Sequence, residues 1–360
     1  MERGLGILST QRSQRDRPFV NAFCPGATET VTAEEIHRGR CRTTCPYCHS
    51  DGGEDLGPAC ELAELADAAT PSIIRVIAET LRDSRLVRCG RCSLQFRDPQ
   101  LAREDLERLY QNLPATIWQY DAASVGSWVT AKKQLLPRYS IHDPVSVLDV
   151  GAFDGAFLNQ LPDAWKKFAI EPSPKGREML RSSQIELIAE YVEDLSLITH
   201  GDRFDIVTLF DVFEHLPDPS STLKTLAGLV KPSGRLVIST CNADHWSWRL
   251  LRGQHWYLHS IQHLCFATTE FFRAWGEQHG LLVESLVNHP HQIAGDAQRV
   301  KHSLEVLHSW AMDNGRTYLA RVIQTIPGFR HLAHKRGVVF ANTLSDHQLA
   351  MFQRPASSAP

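Results

Sequence analysis

No apolar run in this chain of 360 residues approaches the roughly 18 residues that a membrane-crossing helix needs. The opening stretch, MERGLGILSTQRSQRDRPFV, lacks the apolar core of an export signal. Charge of one sign is missing too, since 38 Lys and Arg stand against 41 Asp and Glu for a formal net charge of −3. That balance gives no general reason to expect a nucleic-acid partner, although Arg75, Arg249 and Arg252 leave room for a local patch. The expected setting is cytoplasmic. Nine cysteines in a chain with no export signal then point to metal binding or core packing and not to disulfides. Internal repeats are absent, and the length leaves room for one large domain and one small one.

What the chain does have is concentrated in VLDVGAFDGAFL, residues 147–158. Val145–Val150 is a short apolar run of the kind that forms a buried parallel strand. Asp149 sits near its carboxyl end, and Gly151 and Gly155 follow where the chain must turn sharply. Glycine there permits positive φ and lets a ligand approach the backbone. Glu171 closes the next apolar strand, Phe168–Ile170, about 20 positions after Gly151, the placing of a carboxylate that grips ribose hydroxyls at the carboxyl edge of a parallel sheet. A dinucleotide site would read G-x-G-x-x-G. Here the pattern is D-x-G-x-x-x-G, with Phe153 at the middle glycine position. Asp149 and Asp154 would put negative charge where a pyrophosphate sits, whereas a cationic sulfonium bearing an ammonium group suits an acidic turn.

Three further motifs arrive in order: FDIVTLF (204–210), DVFEHLPDP (211–219) and LVKPSGRLVIST (229–240). Together with the glycine turn they resemble the class I S-adenosylmethionine-dependent methyltransferases of the type 11, 12 and 23 kind, closely over residues 140–290. Ser233 and Phe153 depart from the family's glycines. The resemblance implies an α/β fold with a seven-stranded Rossmann-like sheet. It also implies S-adenosylmethionine as cofactor, with Asp149, Gly151, Gly155, Glu171, Val192 and Phe210 around it. A helix over Thr269–His279 should lead into a sixth strand, Leu281–Val287. The terminal stretch Asp346–Phe352 should then complete the sheet as an antiparallel edge. Between these lies a helical insertion near 296–335, with Val300, Leu304, Leu307 and Ala311 on one face.

Cys45-Pro-Tyr-Cys48 and Cys89-Gly-Arg-Cys92 are two C-x-x-C turns that can bring four thiolates to one tetrahedral Zn²⁺. The gap between them is longer than the usual roughly 15–20 residues, so residues 52–82 should loop out as a helical excursion. Cys41 is an alternative ligand, and four unrelated buried cysteines are the plainer reading. Cys24, Cys60, Cys241 and Cys265 read as ordinary thiols. The expected organisation is a lead-in (1–40), a small zinc-ribbon-like module (41–100), a helical linker (101–140), the methyltransferase domain (141–352) and a disordered tail (353–360).

Asp211, Glu214 and His215 form D-x-x-E-H directly after the fourth strand, and His263 lies far downstream before a helix. The set resembles the metal-dependent small-RNA ribose O-methyltransferases and the ubiquinone-pathway O-methyltransferases, in which matching side chains hold a divalent cation beside the substrate hydroxyls. The resemblance implies a divalent ion on Asp211, Glu214, His215 and His263, which would lower the pKa of a bound hydroxyl. Without an ion, His215 or His263 can take the proton directly beside Glu214. A third reading has Glu214 and His215 capping the following helix. Trp246, Trp248, Trp256 and Tyr257 form either an acceptor wall or a buried cluster. His279, His289, His291, His302 and His308 read as structural or surface residues. The expected reaction is O-methylation of a small-molecule or glycan acceptor. C-methylation of a deoxysugar or secondary metabolite and RNA ribose methylation are alternatives, and a non-catalytic cofactor-binding module is the alternative of a different class. Oligomeric state is not legible.

Overall fold

The computed structural model describes residues 44–59, 77, 81–112, 121–195, 197–335 and 338–356. The expectations for the lead-in, Cys24, Cys41, Cys60 and most of the excursion between the C-x-x-C turns lie outside these residues. The part of that excursion that is described begins as a strand and not a helix, β1 (Gly53–Pro58).

Two sheets organise the chain. The larger contains β4 (Ser146–Val150), β5 (Lys166–Ile170), β6 (Glu186–Ala189), β7 (Phe204–Phe210), β8 (Val230–Cys241), β10 (Leu282–His289) and β11 (His347–Gln353), in the order β10-β11-β8-β7-β4-β5-β6. Strands β4 to β8 pair in parallel, and β11 runs antiparallel to both β8 and β10. Every residue of β4 is buried, as the apolar run predicts for a central strand covered on both faces. Side chains alternate between two layers. Leu148, Val150, Val207 and Ile238 join one apolar cluster, and Val147, Ile206 and Val237 join the other. The seven-stranded α/β sheet expected from the motifs is present.

One strand is placed differently from expectation. β11 is not the edge but sits between β8 and β10, and β10 takes the edge. The sequence accounts for this, because Leu349 and Met351 pack in one layer while Ala350 and Phe352 pack in the other. A strand apolar on both faces belongs inside a sheet, whereas β10 is mostly half-exposed, with Leu282 55% accessible.

Several helices start at a side-chain cap. α1 (Arg103–Asn112) and α2 (Gly126–Leu135) precede the sheet. α3 (Pro174–Arg181) has Ser173 at its N-cap, and α4 (Pro219–Leu229) has Asp218 accepting from the Ser221 amide at 3.0 Å. α5 (Trp246–Leu251) follows β8, and α6 (Thr269–Gln278) is capped by Thr268. The insertion is two helices, α7 (Asp296–Asp313) and α8 (Thr317–Thr325), divided at Gly315, whose φ is +68°. Val300 is exposed. Of the expected stripe Ala311 is buried and Leu304 and Leu307 are half-buried, while His302, Glu305, Val306 and His308 complete the buried face of α7.

The smaller sheet, order β1-β2-β3-β9, is antiparallel throughout. β2 (Arg85–Cys89) and β3 (Gln95–Asp98) come from the cysteine-bearing segment, but β9 is Cys265–Phe266, just downstream of His263. Gln95 faces Phe266 and Phe96 faces Cys265. The cysteine module is thus built into the larger domain. No helix among the described residues is long and apolar enough to cross a membrane.

Candidate functional site

The turn after β4 combines backbone strain with buried charge. Gly151 has φ +75°, and a Cβ there would meet Val212 Cγ2 at 2.5 Å. Gly155 has φ +73°, and its missing Cβ makes room for Ile185. Phe153 holds φ +46°, so it keeps the left-handed turn that glycine adopts more easily. The Phe153 amide donates to Glu171 Oε2 at 2.7 Å, and the Ser173 amide donates to Glu171 Oε1 at 2.7 Å. Glu171 is 3% accessible. Burial pushes its carboxyl up to about 7, against the pull of those two amides. Asp149 accepts from Thr208 Oγ1 at 2.6 Å, and burial raises it likewise to about 7. Two desolvated carboxylates therefore stand at the carboxyl ends of neighbouring strands. Val192 opens a short turn after β6 and packs in the layer of Val150 and Ile170. Phe210 packs in the opposite layer, edge-on to Phe157 at 4.7 Å.

Glu214 is wholly buried in the short turn Phe213–His215. Its Oε2 accepts from Thr240 Oγ1 at 2.7 Å, and its Oε1 accepts from the Tyr257 hydroxyl. His215 Nδ1 lies 3.2 Å from the Gln262 carbonyl and His263 Nδ1 lies 2.7 Å from the Tyr257 carbonyl. Because a carbonyl only accepts, His263 carries its proton on Nδ1 and its lone pair on Nε2, whereas the His215 ring meets the backbone of both Gln262 and Asp211. Burial lowers the pKa of both rings, His263 strongly, so they are neutral. His215 Nε2 is 4.0 Å from Glu214 Oε1, and the two ring centroids are 4.8 Å apart. Tyr110 of α1 lies over this group, its ring 6.1 Å from that of His215.

The four residues of the expected ion site do not meet at one point. Ligating atoms of Glu214, His215 and His263 lie within 4.8 Å of one another, and Asp211 belongs instead to a set with His291 and His347. Sequence reasoning missed His347 and read His291 as a structural or surface residue. Both flank strands, His291 just after β10 and His347 opening β11. The antiparallel direction of β11 is what brings them to one edge.

Of the aromatic segment, Trp248 and Tyr257 are buried, with Trp248 stacked on His255 at 4.2 Å, and Trp246 is 37% accessible. The four C-x-x-C thiols fall within 4.8 Å of one another, with Cys45–Cys92 and Cys48–Cys89 at 3.5 Å. The Arg91 amide points at Cys89 Sγ at 3.4 Å, as in a knuckle turn. Paired turns and near-tetrahedral sulfur spacing fit a zinc ion. Cys241 and Cys265 are buried, and burial raises both thiols.

A family model described as a methyltransferase domain matches residues 102–286, just over half of the chain. The chain belongs to this family and is an S-adenosylmethionine-dependent methyltransferase. It resembles a ubiquinone biosynthesis O-methyltransferase of Proteus mirabilis, 25% identical over 183 residues that cover 47% of this chain and 75% of that protein. A protein of the same description from Aeromonas salmonicida is 27% identical over 154 residues, 39% of this chain and 64% of that one. One from Escherichia coli O7:K1 is 40% identical over 65 residues, covering 18% of this chain and 27% of that one. The match thus spans from 27% to 75% of these relatives' own length. Among solved structures, an S-adenosylmethionine dependent methyltransferase from Mesorhizobium loti is 14% identical, covering 62% of this chain and 96% of that one, with a TM-score of 0.40.

Proposed function

We propose that this methyltransferase forms a methyl ether on a hydroxyl of a small-molecule or glycan acceptor, with Glu171 and the Gly151–Gly155 turn holding the cofactor and His215 receiving the proton. S-adenosylmethionine supplies an electrophilic methyl group on a sulfonium. Glu171 has four lone-pair positions, of which two accept amides, so it retains capacity for ribose hydroxyls. Asp149 and Asp154 give the turn the negative charge that a sulfonium and an ammonium prefer. Positive φ at Gly151 exposes the backbone to close approach.

The observation that carries the proton-acceptor role is the buried His215 ring beside the Glu214 carboxylate. His215 is neutral and has a carboxylate 4.0 Å from Nε2 to stabilise the imidazolium. Glu214 already accepts hydroxyls at both oxygens, so it is fixed in place and suited to this role more than to ligating an ion. His263, neutral and held by the Tyr257 carbonyl, borders the same space. The names of the relatives, ubiquinone biosynthesis O-methyltransferases, support oxygen as the acceptor atom. The four cysteines hold one structural zinc.

The test is turnover with labelled S-adenosylmethionine against a panel of catechols, phenols and sugars, with methyl ethers identified by mass. The expected result is an ether product whose formation falls about 10²–10⁴-fold in His215→Ala, the usual worth of a general base. Products methylated only at carbon or nitrogen, or full activity in His215→Ala, would refute it.

A further inference from the structure

The geometry points to a divalent transition-metal site formed by Asp211, His291 and His347, separate from the Glu214–His215–His263 group. The three donors come from three places at the carboxyl edge: the end of β7, the loop after β10 and the first residue of β11. Their ligating atoms lie within 4.8 Å of one another. An ion about 2.0–2.2 Å from each donor in tetrahedral geometry sets donor–donor spacings of roughly 3.3–3.6 Å, inside that bound.

Two of these donors are poorly served by the protein alone. Asp211 Oδ1 and His347 Nε2 are both buried, and among the described residues neither meets a hydrogen-bond partner. His347 is 0% accessible. Leaving such atoms unsatisfied is costly, about 1–3 kcal/mol each, and an ion satisfies both. The surroundings are those of a supported ligand set. His347 Nδ1 donates to Asp346 Oδ1 at 3.0 Å, which turns Nε2 toward the cluster. Asp346 is itself held by Trp256 Nε1 at 3.1 Å and lies 3.4 Å from His255 Nε2. A carboxylate behind a histidine is the usual outer partner of a metal-bound imidazole. On the other side, Ser127 Oγ donates to Asp211 Oδ2 at 3.3 Å, and the Gly126 amide donates to the His291 carbonyl at 2.9 Å. Gly126 has no room for a Cβ, because the Pro290 carbonyl occupies it. The start of α2 therefore clamps both loops.

Two imidazoles and one carboxylate suit Zn²⁺, Mn²⁺, Fe²⁺ or Co²⁺ more than Mg²⁺ or Ca²⁺. Three protein ligands leave coordination positions open. At this edge of the sheet, the ligand to fill them is an oxygen of the acceptor. That last step rests on the proposed O-methylation, whereas the ion site does not.

Binding of Mn²⁺ and of Co²⁺ to the full-length protein, followed by electron paramagnetic resonance and calorimetry, tests the site without reference to activity. Mn²⁺ has little affinity for thiolates, so its count is free of the four cysteines, and Co²⁺ is added only to protein whose cysteines hold zinc. The expected result is one ion per chain, lost in His291→Ala and in His347→Ala, weakened about 10–100-fold in Asp346→Asn, and retained in His263→Ala. S-adenosylmethionine affinity and melting temperature serve as controls of folding, with His291→Ala the variant of choice if the buried His347→Ala unfolds. The proposal is overturned if the folded wild type binds neither ion, if both histidine variants bind normally, or if His263→Ala abolishes binding while His347→Ala spares it.

Discussion

Replacement of Glu171 by glutamine tests the cofactor site most directly. The carboxylate accepts two amides at 2.7 Å, one per oxygen. Glutamine can present one carbonyl oxygen to one of these amides, but its NH₂ group then faces the other donor. That leaves a buried N–H without an acceptor, costing about 1–3 kcal/mol of stability. In a chain of this size the melting temperature should fall by several degrees. The effect on binding is separate, since a ribose hydroxyl loses a charged acceptor worth about 1.5–3 kcal/mol, or roughly 10- to 100-fold in Kd for S-adenosylmethionine. Calorimetry gives the Kd, and thermal melting of the empty protein gives the stability term. A folded Glu171→Gln protein that binds S-adenosylmethionine as tightly as wild type would refute the assignment of this carboxylate to the ribose.

Burial holds Asp149 and Glu171 near 7, above their ordinary values of 3.8 and 4.5. Between those values and 7 the folded protein retains protons that the unfolded chain has released, so the stability these groups give the empty fold is full below those values and is lost as pH rises to about 7. Cofactor binding wants them ionised, so the melting-temperature gain from S-adenosylmethionine should shrink from about pH 8 to about pH 6, and Glu171→Gln should flatten that dependence. Metal analysis should find one zinc on Cys45, Cys48, Cys89 and Cys92, lost in Cys45→Ser/Cys89→Ser. Because β9 shares the small sheet, circular dichroism and melting should show that loss destabilising the whole chain and not only the segment before residue 100. Leu349→Ala, at a wholly buried position of β11, should cost about 2–5 kcal/mol in denaturant titration, against under 1 kcal/mol for the exposed Val300→Ala.

The parts of this molecule legible in its sequence are those whose chemistry is local. Asp149 and Gly151 stand out because a strand end and a sharp turn lie within a few residues of one another, and Glu171 because it directly follows the next apolar strand. The paired C-x-x-C turns do so for the same reason. The position of β11 was harder, since strand order depends on pairings far apart in sequence, although HQLAMF has apolar side chains on both faces, which signals an interior strand. D-x-x-E-H suggests that Asp211 and Glu214 act together. The backbone defeats that reading, with Asp211 at φ +53° and its carboxylate among residues of β11 and the loop after β10. Phe153 shows the opposite case, in which an unfavourable residue type still adopts the φ of the turn it occupies. A two-residue strand such as β9 carries too little pattern to be read, and with it went the link between the cysteine segment and His263.

The interior place of β11 ties the assembly of the molecule to the readiness of its chemistry. During synthesis, β8 and β10 emerge more than fifty residues ahead of the strand that must lie between them. Until it arrives, the sheet is two separate pieces with open, adhesive borders. The residue that begins the closing strand is His347, so the last seam to be sewn also delivers a side chain to the carboxyl edge. A C-terminally clipped chain keeps the cofactor turn after β4 but loses His347, so on the proposed ion site binding of the methyl donor and its use are expected to separate.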